Sequence, residues 1–203
     1  MLIAFEGLDG SGKTTQARLL AKALEAKGYK VLLVEEPGTT AVGRQIREIL
    51  LKRGNEISPL AELLLYEASR AQLVQETLKP ALAAGKVVIA DRYALSSLAY
   101  QGYGRGLPLE LVEELNKVAT GGLEPEVTFL LDVPPEVGLR RKGQDRDKDR
   151  LEEATLEFHR RVREGYLELA RKDGRIYLLD GRRPPEELHR EVAEILQRIG
   201  LDL

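Results

Sequence analysis

At 203 residues the chain is long enough to bury a core without a disulfide or metal staple. It has no cysteine, which excludes disulfides, cysteine–zinc sites and thiol catalysis, and 31 Lys plus Arg against 33 Asp plus Glu leave no global field for nucleic acid or a membrane. No stretch approaches the ~20 apolar residues of a membrane span, and the opening LIAFEG lacks the regions of a signal peptide, so a cytoplasmic enzyme is the expectation.

In chain order, the first predicted strand is Leu2–Phe5. Gly7-Leu8-Asp9-Gly10-Ser11-Gly12-Lys13-Thr14 comes directly after it and satisfies G-x-x-x-x-G-K-[ST], with a helix-period segment, Thr14–Lys27, behind. A strand before and a helix after form the context in which this string wraps a phosphate. Its glycines let backbone amides turn inward and the helix adds its positive N-terminal end. Lys13 can reach the outer phosphates, and the Thr14 hydroxyl can ligate Mg²⁺. Gly28 is placed to end that helix.

Val31–Val34 is the second strand. Ser58–Ala84 is predicted as one helix, opened by an N-cap serine and a proline at the first helical position. The third strand, Val87–Ala90, runs into Asp91-Arg92-Tyr93; the fourth is Val127–Leu131. Arg140–Arg150, with six basic and three acidic residues, is a candidate lid. Arg150–Lys172 carries Phe158, Val162 and Leu169 at helical spacing, Ile176–Leu179 is the fifth strand, and Leu188–Ile199 closes the chain as a helix. His159 and His189 lie on these last two helices, each beside an arginine, and read as solvated positions rather than metal ligands. Short apolar runs bounded by charge or glycine are the pattern of buried parallel strands. Their alternation with helices implies an α/β P-loop fold: a five-stranded parallel sheet with helices on both faces, in a single domain over residues 1–203.

A phosphate cradle does not by itself fix the reaction. Guanine recognition needs an N/T-K-x-D string, and Asn116-Lys117-Val118-Ala119 lacks the aspartate. A partitioning ATPase has an extra lysine early in the loop, where Leu8 stands. A small-molecule kinase needs an acceptor site and a lid, and the chain offers both. Ligands of open parallel sheets sit beyond the carboxyl ends of the strands, which is where Asp91 and Arg92 fall.

The chain resembles the thymidylate kinase family over nearly its whole length. The segments concerned are EGLDGSGKTT (Glu6–Thr15), Glu36-Pro37-Gly38, EASRAQL (Glu67–Leu73), Asp91–Tyr93, SSLAYQGYGRG (Ser96–Gly106), LLDVPPEVG (Leu130–Gly138) and Asp149-Arg150-Leu151-Glu152. The resemblance implies Mg²⁺-dependent transfer of the ATP γ-phosphate to dTMP, giving dTDP, usually in a homodimer. Its ligands are then small nucleotides rather than nucleic acid or membrane. Another deoxynucleotide or a deoxynucleoside is the alternative acceptor.

By the same resemblance, Gly7 to Thr15 (Gly7, Leu8, Asp9, Gly10, Ser11, Gly12, Lys13, Thr14 and Thr15) hold ATP, and Thr14 and Asp91 hold the metal. Arg92 clamps the acceptor phosphate, as a guanidinium fork suits, and Asp9 orients it. Arg70 bonds the thymine carbonyl, and Tyr66, one helical turn earlier, stacks on the ring. Tyr100 excludes a ribose 2′-hydroxyl, Ser97 and Gln101 read the base edge, and Glu36 belongs to the acceptor site; Arg47 either reaches the acceptor phosphate as well or stands as a solvated arginine on its helix. Because Gly10 stands where some members carry an arginine, the catalytic cations are expected from the lid: Arg146 and Arg150 first, Arg141 next. The chain departs from the family's Arg-Glu-Pro-Gly-Gly-Thr with Glu35-Glu36-Pro37-Gly38-Thr39-Thr40, a reversed charge beside the acceptor site.

Overall fold

All five predicted strands form in this computed structural model, which describes residues 1–142 and 149–201. They are β1 (Leu2–Glu6), β2 (Val31–Glu35), β3 (Val87–Asp91), β4 (Val127–Asp132) and β5 (Ile176–Asp180). Each runs one residue past its apolar run and ends on a carboxylate. The strands are parallel, in the order β2-β3-β1-β4-β5, so these carboxylates gather at one edge of the sheet. That edge is where an open parallel sheet binds its ligands.

The helices are α1 (Lys13–Ala26), α2 (Ala41–Leu51), α3 (Pro59–Leu73), α4 (Lys79–Ala83), α5 (Ala94–Ser97), α6 (Leu109–Thr120), α7 (Pro135–Lys142), α8 (Leu156–Lys172) and α9 (Pro185–Arg198). Alternate strand residues face opposite layers. Ile3, Phe5, Ile89 and Phe129 pack under Leu20 and Leu24 of α1 and Val192 and Leu196 of α9. On the other face Leu2, Ala4, Val88 and Ala90 meet Leu73, Val74 and Leu78, while Leu130 meets Tyr100, Phe158, Val162 and Tyr166.

Several helices also depart from expectation. Ser58 caps Ala61 N as predicted, but the helix passes through a π-helical turn, Val74–Leu78, before α4. A second π-helical segment, Leu98–Gly104, comes after α5 and faces the cavity, as such widened turns often do at sites. Helix α8 begins at Leu156 rather than at Arg150, because the Thr155 hydroxyl accepts from Phe158 N and sets the start there. Helix α9 begins three residues earlier than Leu188, at Pro185.

His159 corrects the solvated reading. It is 3% exposed and packs edge-on to Phe158, while His189 is half-buried. Among the described residues no group of three or more His, Cys, Asp or Glu could hold a metal, and no helix is long and apolar enough to cross a membrane.

Candidate active site

The loop between β1 and α1 forms one wall of a cavity of about 560 Å³ at the carboxyl edge of the sheet, a size suited to a small molecule. Asp9 to Thr15 line it; Gly7 and Leu8 do not, and the Leu8 side chain packs instead among Ala99, Tyr100 and Val133. Lys13 is 6% exposed, its ammonium 3.3 Å from Leu8 O and 3.6 Å from Asp9 Oδ1. The Thr14 hydroxyl donates to Asp91 Oδ2, while Asp91 Oδ1 is buried with no hydrogen-bond partner. A hydroxyl beside a carboxylate with an unsatisfied oxygen fits Mg²⁺, which takes one or two protein oxygens and completes its shell with phosphate and water. Gly10 and Gly138 of α7 lie back to back: a Cβ at Gly10 would stand 2.2 Å from Gly138 O, and one at Gly138 2.3 Å from Asp9 O.

Arg92 is the one non-glycine residue with positive φ (74°) among the described residues, a conformation that must be held from outside. Its Nη2 donates to Asp9 Oδ1 at 2.9 Å and to the Tyr100 hydroxyl at 3.2 Å. Its Nη1 donates to Ser96 Oγ at 3.2 Å and to the Tyr166 hydroxyl at 3.3 Å, and the guanidinium lies 5.1 Å from the centre of the Tyr100 ring. Burial would raise the Asp9 carboxyl, but Arg92, then Lys13 and Lys142, hold it well below the usual carboxylate range. Asp9 is thus an anion shared between Lys13 of the loop and Arg92.

Arg70 lies 1% exposed at the cavity floor. Its Nη1 donates to Glu67, Ser97 and Asn116, and its Nη2 to Tyr93 O at 3.3 Å. Its Nε is 2.7 Å from Glu36 Oε1, close enough for an ion pair although not aligned as a hydrogen bond. Burial pushes the Glu36 carboxyl up to about 7 against the pull of Arg70. Ser97 gives its proton to Glu67 and accepts from Arg70, so it braces Arg70 rather than offering the base a donor. Gln101 Nε2 donates to Glu62, which leaves its carbonyl as the group for a ligand. Tyr66 and Tyr100 also line the cavity.

The reversed charge at Glu35 has a definite partner. Arg47, on α2, pairs with Glu35 at 2.7 Å and donates to Pro37 O, while Thr39 Oγ1 accepts from Glu35 N. Arg47 nevertheless lines the cavity.

The lid divides. Arg140, Arg141 and Lys142 extend α7 as its last turn, and Arg141 reaches Gly10 O and Gly181 O across the cavity mouth. Lys142 pairs with Glu152 at 2.7 Å. Arg146 lies outside the described residues. Arg150, expected as a lid cation, is engaged away from the cavity in this structure: it donates through Nε to Leu50 O and through Nη2 to Glu62, and it does not line the cavity. Glu62 is fully buried and also accepts from Arg105 and Gln101, so Arg150 joins a set of donors on a carboxylate shut off from water.

Sequence patterns missed Glu6, Glu62, Asn116 and Tyr166. Glu6 is fully buried, accepting from Tyr93 N, Ser96 N, Ser96 Oγ and the Tyr166 hydroxyl. Burial raises its carboxyl while Arg92 and those donors pull it back, and four donors on two oxygens keep it an acceptor. The signal available for Glu6 and Glu62 was a lone carboxylate inside an apolar stretch, which is costly unless it is partnered.

A family model described as "Thymidylate kinase" matches residues 5–192. The chain is 51% identical over 201 residues to the thymidylate kinase of Deinococcus radiodurans, covering 98% of each. It is 45% identical over 197 residues to that of Thermoanaerobacter sp. (strain X514), covering 97% of each. It is also similar to a crystal structure of thymidylate kinase from Ehrlichia chaffeensis, with TM-score 0.80, 35% identity, and 97% of this chain and 98% of that one covered.

Proposed function

The chain belongs to the thymidylate kinase family, and from that premise we propose how its residues divide the transfer of the ATP γ-phosphate to dTMP. The observation that carries the proposal is Asp9, which ties Lys13 of the donor cradle to Arg92 of the acceptor wall within one cavity. ATP phosphates lie on the amides of residues 10–15, with Lys13 on the outer phosphates. Thr14 and Asp91 would hold Mg²⁺, which would supply charge neutralisation at the phosphates. Arg92 grips the acceptor phosphate and aims one of its oxygens at the γ-phosphorus. The cavity walls keep bulk water from competing with it.

Base choice rests on donor and acceptor order. Arg70 Nη2 offers a donor and Gln101 a carbonyl acceptor, which match the O4 acceptor and N3–H donor of thymine. Cytosine presents the reverse pattern, and a site built for one pattern rejects the other strongly because its buried groups are left unpaired. Tyr66 supplies a flat wall for the ring, and Tyr100, packed under Arg92, closes the space beside the sugar. Arg141, which bonds Gly10 O of the loop and Gly181 O, is the described lid cation we assign to the donor phosphates.

A coupled assay with dTMP, dCMP, dGMP and thymidine as acceptors tests this division. Turnover is expected with dTMP, at least 100-fold less with dCMP given roughly 10⁴ discrimination at hydrogen-bonding sites, and little with thymidine, which gives Arg92 nothing to hold. Comparable rates for dTMP and dCMP would overturn the base-reading assignment.

The homodimer rests on a further observation. Val42 and Ile49 of α2, Leu60 and Leu64 of α3, and Leu111 and Val118 of α6 are exposed on three helices packed side by side. A second copy of this chain, bringing the same stripe, is the occupant we assign to it.

A further inference from the structure

We propose that Tyr166 is a positioning residue for Arg92: its hydroxyl, aligned by the buried Glu6 carboxylate, fixes the guanidinium for the acceptor phosphate. The proposal rests on the assignment of Arg92 to that phosphate.

Arg92 sits in a backbone conformation that L-residues rarely adopt, so its side chain depends on outside partners for its direction. Asp9 and Tyr100 fix Nη2; Ser96 and Tyr166 fix Nη1. Proton accounting decides which way those two hydroxyls face. Ser96 Oγ lies 2.6 Å and the Tyr166 hydroxyl 2.9 Å from Glu6 Oε2, while Glu6 Oε1 is filled by the amides of Tyr93 and Ser96. The two hydroxyls also stand 2.9 Å from each other, where either could donate; with their single protons given instead to the carboxylate, the stronger acceptor, their lone pairs turn to Arg92. The order is carboxylate, hydroxyl, guanidinium, each link pointing one way.

Tyr166 cannot swing out of this line. It is 2% exposed, and its ring stands edge-on to Tyr100 at 6.2 Å and 83°. Phenylalanine would fill the same space without the hydroxyl, which separates positioning from packing.

The test compares dTMP with thymidine, which lacks the phosphate that Arg92 holds. In Tyr166→Phe the affinity for dTMP, measured by calorimetry, is expected to fall roughly tenfold, the size of one lost hydrogen bond to a charged group. Thymidine affinity and the KM for ATP are expected to stay within about twofold. Ser96→Ala is expected to shift the same ratio in the same direction. Tyr103→Phe, which removes a hydroxyl bonded to Glu168 on the outer side of α8, is the control and should change neither affinity. Arg92→Gln should abolish the advantage of dTMP over thymidine. If Tyr166→Phe weakens both ligands equally, or neither, while Arg92→Gln removes that advantage, the proposal fails and the Arg92 assignment stands. If Arg92→Gln leaves the advantage intact, the assignment fails and the proposal with it.

Discussion

Glu36 is 3% exposed, with one oxygen against Arg70 and the other without a hydrogen-bond partner. Folded, it keeps its proton up to about pH 7, whereas an unperturbed glutamate releases it near 4.5. The folded chain therefore binds more proton between those two values. Its contribution to stability is full below the lower value and is lost as pH rises through the upper one. Urea denaturation at steps from pH 5 to 8 is expected to show stability falling over that window, with a shallower fall in Glu36→Gln. An identical slope in the variant would mean that Arg70 keeps Glu36 ionised throughout. The residue pattern shows why such a group escapes sequence reading: Glu36 looks like one more acid beside Glu35, yet Glu35 is exposed and holds Arg47 while Glu36 is desolvated.

At the scale of elements, the short segment before α8 behaves as a strap. Arg150 N donates to Leu51 O, its side chain donates to Leu50 O and Glu62, and Leu151 turns into the cavity. Arg150→Ala removes one cation from a fully buried carboxylate that keeps Arg105 and Gln101. A loss of about 1–3 kcal/mol is expected, lowering Tm by roughly 2–4 °C per kcal/mol for a chain of this length. The KM for dTMP should rise more than kcat falls, because the strap shapes the wall and does not touch the transferred phosphoryl group. Calorimetric melting with steady-state kinetics checks both; an unchanged Tm with a collapsed kcat would restore Arg150 as a lid cation. Helices and strands were legible as far as apolar periodicity reaches. Every strand was read one residue short because periodicity ends where the carboxylates Glu6, Glu35, Asp91, Asp132 and Asp180 begin. In α8, Phe158 and Val162 were legible as inward residues, but Leu169 is half-buried and Tyr166 takes the deep position. An aromatic ring with a polar tip fits packing and hydrogen bonding equally well, so spacing alone could not assign it.

For the whole molecule, α3 carries both part of the exposed stripe and the cavity residues Tyr66 and Arg70, so the proposed assembly and the proposed base reading would share one helix. Leu64→Glu combined with Val118→Glu is expected to give a monomer by sedimentation, since both side chains are exposed (48% and 79%) and neither belongs to the buried core. A dimer that persists through both charges would place the interface elsewhere. The parts of the site legible from sequence were those with an obligatory backbone shape, such as the glycine loop. The parts that were not, such as Asn116 reaching Arg70 from α6 or Glu62 gathering Arg105 and Arg150, depend on residues brought together from distant stretches of chain.

The back-to-back glycines have a consequence for how such a protein can change over generations. With Gly138 O only 2.2 Å from where a Cβ at position 10 would stand, a side chain there is forbidden for as long as α7 keeps its place. Bringing a cationic side chain into the loop at position 10 therefore requires α7 itself to move, because the colliding atom is a backbone carbonyl that any residue at 138 would carry. A side chain at position 10 and the present seat of α7 exclude each other, so a change at 10 must come with changes that reseat the helix, not with a substitution at Gly138 alone.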